Sequence, residues 1–166
     1  AQADEKQWRA TELTQRLSYV RQLIAKIATV DNVQQLAEDL AQTINDARKQ
    51  LLAIEKKMAK PLVMPGPTGE SNKVYLEPRG TVLCMADKDT SFNFWVNSII
   101  SALACGNTVV TLVSEEFQQQ AEAFKDLLLA TDAPKGILQV APMKQLKAVL
   151  QAASLAGVVV GSACAK

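Results

Sequence analysis

A chain of 166 residues, 48% of them apolar and 21% charged, is long enough for one well-buried core and has the balance of an ordinary globular protein. Its net charge of +1 is too weak a field to draw nucleic acid or anionic lipid, so no nucleic-acid partner is expected. The absence of histidine removes the commonest general base, the commonest metal ligand and the usual activator of a Ser or Cys nucleophile, which excludes triads and zinc chemistry.

No apolar run approaches the ~20 residues of a membrane span, and the polar, charged start from Ala1 to Arg9 is unlike a signal peptide. A cytoplasmic protein is the expectation. Cys84, Cys105 and Cys164 are odd in number and widely spaced, the pattern of reduced thiols rather than of disulfides or a zinc site.

The first sixty residues predict two long helices. Leu13, Leu17, Val20, Ile24 and Ile27 alternate spacings of four and three, one apolar stripe with Trp8 a turn or so earlier. Asp31 with Gln34 has the form of a capping box. Val33, Leu36, Leu40, Ile44, Ala47, Leu51, Ile54 and Met58 carry the stripe onward, and the short "TVDN" connection favours an antiparallel pair. Arg48, Lys49, Lys56, Lys57 and Lys60 crowd the end of helix two, either as a partner-binding basic patch or, the reading favoured by Glu55 among them and the lack of interleaved aromatics, as solvated cations that complement the negative pole of the helix dipole.

"MPGPTGESN", with two prolines and two glycines, interrupts the helices. The organisation expected is a helical hairpin over residues 1–60, a Pro/Gly-rich linker with an edge strand over 61–80, and an α/β unit over 81–166. "KVYLEP" predicts the edge strand, and "TVLCMA" is a continuous apolar run suited to a parallel sheet. Asp89 or Ser91 can cap the next helix, whose inward face is Phe92, Trp95, Val96, Ile99, Ile100 and Leu103 and whose end is marked by Gly106. "TVVTLV" is the second buried strand. Ser114 can cap a helix facing inward through Phe117, Ala121, Phe124 and Leu128. Pro134 and Gly136 turn the chain into "ILQVA", Pro142 opens a third helix through Leu146, Val149 and Leu150, and "AGVVVG" is the fourth strand. This alternation predicts an α/β fold: the helix pair followed by an open, Rossmann-like parallel sheet with right-handed crossovers, cut short at four strands.

Ligands of such sheets bind beyond the carboxyl ends of the strands. Neither GxGxxG nor GxxxxGK[ST] is present, so any phosphate would rest on isolated amides at helix starts such as Ser114 and Ser162. Glu115 could accept hydrogen bonds from a ribose diol or simply favour the positive end of a helix dipole. Asp87 and Asp89 could serve as an acid–base pair or a cation site, or fill turn and cap positions. Cys84, inside an apolar strand with no neighbouring cation in sequence, has no cause for reactivity.

"ISALACGNTVVTLVSEEF", "APKGILQVAP" and "LAGVVVGSACAK" together resemble the cofactor-binding half of the aldehyde dehydrogenase superfamily. "MPGPTGESN" and "PRGTVLCMAD" further resemble the C-terminal, aldehyde-dehydrogenase-like domain of long proline utilization A (PutA) proteins. The resemblance covers about residues 62 to 166. It implies that the family's oxyanion-stabilising asparagine falls on Asp89 and its ribose-contacting lysine on Leu112. The ribose glutamate and the pyrophosphate Gly-Ser pair are matched by Glu115, Gly161 and Ser162, as vestigial positions only. The family's nucleophilic cysteine and glutamate base fall beyond Lys166.

The resemblance therefore implies no catalytic residue, no bound cofactor and no metal in this segment, with FAD and NAD belonging to the parent polypeptide. It implies a non-catalytic domain that packs on the proline dehydrogenase and glutamate semialdehyde dehydrogenase modules of the same chain and helps enclose the channelling passage. A degenerate nucleotide-binding regulatory domain is the alternative. An open sheet edge could also support a homodimer.

Overall fold

The computed structural model describes residues 2–29, 39–152 and 154–161. Among the described residues three helices come first: α1 (Gln2–Ala10), α2 (Leu13–Ile27) and α3 (Leu40–Met58). A two-stranded ribbon follows, β1 (Leu62–Met64) with β2 (Asn72–Val74). The α/β part runs β3 (Thr81–Ala86), α4 (Phe92–Ala104), β4 (Thr108–Val113), α5 (Gln118–Leu129), β5 (Leu138–Pro142), α6 (Leu146–Ala152) and β6 (Leu155–Val159).

Strands β3 to β6 form one parallel sheet in the order β5-β4-β3-β6. The two runs expected as buried strands at 81–86 and 108–113 fall where their apolar continuity places them; β5 is displaced by one residue from "ILQVA", and the last strand, expected as "AGVVVG" over 156–161, runs from Leu155 to Val159. The chain steps outward from β3 to β5 and then returns to the far side of β3. The resulting switch point between β3 and β6 is where open sheets of this kind hold ligands.

Helices α4 and α5 cover one face of the sheet. Trp95 is buried there, donating from Nε1 to Thr111 Oγ1 at 2.8 Å and meeting Phe117 and Phe124 edge-on at 5.2 and 5.1 Å. Edge-to-face geometry brings the positive ring edge to a negative face. Helix α4 starts at Ser91, whose hydroxyl accepts from the Phe94 amide at 3.2 Å, and ends at Gly106, which has φ +85°. Asn107 donates its amide to Ala102 O at 3.0 Å, closing the turn. Its side chain accepts from the Arg79 and Gly80 amides at 2.8 and 3.1 Å, tying the entry of β3 to that of β4.

Several expectations are corrected. The first helix is two helices: Glu12 takes φ −57°, ψ 144° and breaks the axis between Ala10 and Leu13. Tertiary bonds account for the break. Trp8 donates from Nε1 to Leu103 O at 3.1 Å, while buried Arg16 donates to Thr11 O at 2.6 Å and to Ala104 O at 3.3 Å.

"KVYLEP" supplies only Lys73 and Val74 to a strand, and its partner is Leu62–Met64 in an antiparallel ribbon rather than the main sheet. Ser114 makes no capping bond, and the chain passes through a 3₁₀ turn at Glu115–Phe117 before α5 begins. Leu150 in α6 is exposed. The capping box at Asp31 and Gln34, with Val33 and Leu36, lies outside the described residues.

Helices α2 and α3 run antiparallel, as expected: Arg21 meets Glu55 at 2.7 Å, while Ile24 and Ala25 lie beside Leu51 and Arg48. Leu17, Val20, Leu23, Ile24, Ile27, Ala47 and Leu51 join the aromatic cluster in one continuous core.

Candidate functional site

At the tip of β3 the chain makes a tight turn. Asp87 Oδ1 accepts from the Asp89 amide at 3.1 Å and from the Thr90 hydroxyl at 2.7 Å, and the Asp87 amide donates to Thr90 Oγ1 at 3.1 Å. Such bonds are the ordinary use of Asp and Thr between a strand and a helix. Asp87 is thus engaged in the turn and Asp89 stands exposed, so the structure does not bring them together as an acid–base pair. Ser91, not Asp89, fills the cap. Among the described residues no group of three or more Asp, Glu or Cys side chains could hold a metal ion.

At the tips of β4 and β5 a cavity of about 440 Å³ opens between Val113, Ser114, Glu115, Pro142, Met143 and Lys144. Glu115 and Lys144 are both exposed at its mouth, one acid and one cation on neighbouring loops. Beside them, Glu116 is held below the usual carboxylate range, chiefly by its own backbone amide. Lys144 escapes sequence reasoning: it belongs to no motif, and only the pairing of β5 with β4 places it opposite Glu115.

Leu112, the position equivalent to a ribose-binding lysine by the resemblance, is fully buried in β4. Gly161 is buried on the opposite side of β3, facing Thr90 and Phe94. Ser162 lies outside the described residues.

A larger groove, about 600 Å³, lies along α4 between α3 and the edge of the sheet, with Val82 and Val159 at its floor. Its polar lining includes Gln50, Asn93, Asn97 and Ser101, and Asn93 ties it to a polar ladder that continues onto α3. Asn97 donates to Asn93 O and Oδ1 at 2.9 and 2.8 Å, Asn93 donates to Asp46 Oδ2 at 3.0 Å, and Gln42 donates to both Asp46 oxygens at 2.9 Å. Ser101 donates to Gln50 Oε1. The Asn93 amide first, then Gln42, holds the Asp46 carboxyl below its ordinary range. Periodicity identifies the apolar face of α4 but is silent on this polar one, because its meaning depends on α3.

The described cysteines offer no activated thiol. Burial pushes Cys84 up to about 12. Burial also raises Cys105, with the nearby Arg16 guanidinium acting in the opposite sense. A thiolate is the reactive form, and both environments disfavour it. Cys164 lies outside the described residues.

The model of the aldehyde dehydrogenase family matches residues 1–159. No curated protein matches the chain. Among solved structures, a PutA determined with proline bound in remote sites is similar over 95% of this chain and 18% of its own, at 24% identity and a TM-score of 0.76. A PutA variant from Bradyrhizobium japonicum is similar over 94% of this chain and 18% of its own, at 24% identity and a TM-score of 0.74. The NAD+ complex of an aldehyde dehydrogenase from Bacillus cereus is similar over 81% of this chain and 30% of its own, at 17% identity and a TM-score of 0.70. The chain thus spans about a fifth of the length of the PutA chains it resembles.

Proposed function

Because the chain belongs to the aldehyde dehydrogenase family, we propose that it is a non-catalytic domain of a PutA-type polypeptide. On this reading it packs on the catalytic modules and helps enclose the passage between their active sites. The parent oxidises proline to glutamate, with FAD serving the first module and NAD the second.

The observation that carries this reading is Leu112. Its side chain is fully buried in β4, so the position where the family resemblance puts a lysine offers a cofactor no charge and no hydrogen bond. Asp89 supports it: a carboxylate there repels a developing oxyanion, where a side-chain amide would donate to it. The residues at the strand tips therefore fit a family cofactor only in part.

Deleting this domain from the parent polypeptide tests the proposal. Each half-reaction is expected to persist while the lag before NADH production lengthens, because the semialdehyde intermediate escapes into solvent. An unchanged lag overturns the reading.

A second reading is a nucleotide-binding regulatory domain, favoured by the 440 Å³ cavity with Glu115 and Lys144 at its mouth. Glu115 would accept from a ribose diol and Lys144 would meet a phosphate. Calorimetric titration with NAD separates the two readings. Micromolar affinity lost in Glu115→Ala supports the regulatory one; millimolar or absent binding removes it.

A further inference from the structure

Leu52 lies on the outward face of α3 and is 63% exposed. On a helix its surface neighbours are three and four residues away: here Arg48, Lys49, Glu55 and Lys56. The single acid of that ring, Glu55, is already bound by Arg21 at 2.7 Å. Lys49 reaches Asp46 only at 3.8 Å with its side chain two-thirds exposed. An apolar side chain thus stands among cations, of which Arg48 and Lys56 have no ion-pair partner among the described residues.

Beside Leu52 the seam between α2 and α3 opens into a hollow of about 310 Å³. Its base is apolar, Ile24, Ala25 and Leu51, and Arg21 and Arg48 stand at its rims. A lone exposed leucine needs no explanation. With Arg21 bound to Glu55, the cations left beside the hollow are the exposed Arg48, Lys49 and Lys56 of α3, and a leucine among them beside an apolar hollow presents the two features that seat an amphipathic helix: an apolar slot and adjacent charge of one sign.

We propose that the α2–α3 face docks an acidic amphipathic helix of a protein partner. Its apolar residues would fill the hollow against Leu51 and Leu52, and its carboxylates would meet Arg48, Lys49 and Lys56. Charge complementarity fixes the sign of the partner, and the apolar base fixes its class. A phosphate backbone would leave the hollow and Leu52 uncovered, and no aromatic side chain lines the seam to stack on a base. Of the residues lining the hollow only Leu52 protrudes as a large apolar group, too little to hold the face on a lipid surface. The proposal does not depend on the domain's role in a larger polypeptide.

The test is fluorescence anisotropy of a labelled leucine–glutamate amphipathic peptide titrated with the 166-residue chain. Leu52→Gln and Arg48→Glu serve as variants, both exposed and each checked for an unchanged urea midpoint. A scrambled peptide of the same composition, phosphatidylserine vesicles and duplex DNA are titrated in parallel. Binding by the amphipathic peptide is expected to be about tenfold or more tighter than by the scrambled one. It should weaken by a similar factor in each variant and fall further as salt is raised. Equal binding of the scrambled peptide, indifference to Leu52→Gln, or tighter binding of vesicles or DNA overturns the proposal.

Discussion

Gly106→Ala is the substitution for which the structure gives the most explicit energetic expectation. Gly106 has φ +85°, and a Cβ built there would lie 2.6 Å from Pro78 Cγ and 3.0 Å from Arg16 Cζ and Nη1. The left-handed backbone costs an L-residue about 1–2 kcal/mol. Forcing a methyl group into a filled space costs about 1–3 kcal/mol, and here the neighbours are poorly free to move. Pro78 is a ring, and Arg16 is held by Thr11 O and Ala104 O. Stiffening of the unfolded chain returns only about 0.5 kcal/mol. The expected net loss is therefore about 2–4 kcal/mol, a large share of the roughly 5–15 kcal/mol typical of a domain.

Urea unfolding followed by tryptophan fluorescence measures this directly, since Trp8 and Trp95 are the only two tryptophans and both are buried. Gly69→Ala is the control. Gly69 has φ +94° but no atom within 4 Å of the added Cβ, so it carries at most the backbone cost of about 1–2 kcal/mol. A Gly106→Ala loss no larger than that of Gly69→Ala would refute the close-approach argument and show that Pro78 and Arg16 yield.

Two further predictions concern titratable groups. Asp46 has its carboxyl pulled below the ordinary 3.8 by the Asn93 and Gln42 amides. A carboxylate with a depressed native pKa contributes stability that is present above the unfolded value and lost as pH falls through the native one. The stability difference between wild type and Asp46→Asn should therefore be constant near neutrality and shrink below about pH 4; a pH-independent difference by urea titration contradicts the assignment. For the thiols, Cys84 is buried and pushed up to about 12, so peptide mapping after iodoacetamide treatment should find it modified only in denaturant. Cys84 modified as rapidly in the native protein as in urea would contradict its placement in the core.

Much of the α/β half was legible in the sequence for a local reason. Strands buried on both faces must be apolar without interruption, and helices ending in a left-handed turn favour glycine, so "TVLCMA", Gly106 and "TVVTLV" announce themselves. Ser91 was one of two candidate caps, and the second, Asp89, competes on equal chemical terms until the turn at Asp87 is seen. The stripe of α2 was equally readable, since Leu17, Val20, Ile24 and Ile27 bury one face of a helix whatever lies opposite.

Other features have no local cause. The break at Glu12 contains neither glycine nor proline; it follows from Arg16 and Trp8 reaching carbonyls at the end of α4, 88 and 95 residues away. The ribbon of β1 and β2 pairs Leu62, Val63 and Met64 with Val74, Lys73 and Asn72 around "MPGPTGESN", a register that no period in the sequence specifies. The polar ladder from Gln42 through Asp46 to Asn93 spans two helices separated by the whole ribbon.

The sequence by itself determined the alternation of strand and helix, because burial imposes its period on each element separately. Tertiary structure alone decided the strand order, the facing of Glu115 and Lys144 across one cavity, and the setting of Leu52 beside an apolar hollow. Those depend on which distant elements come to lie side by side, and proximity across a fold leaves no period in the chain.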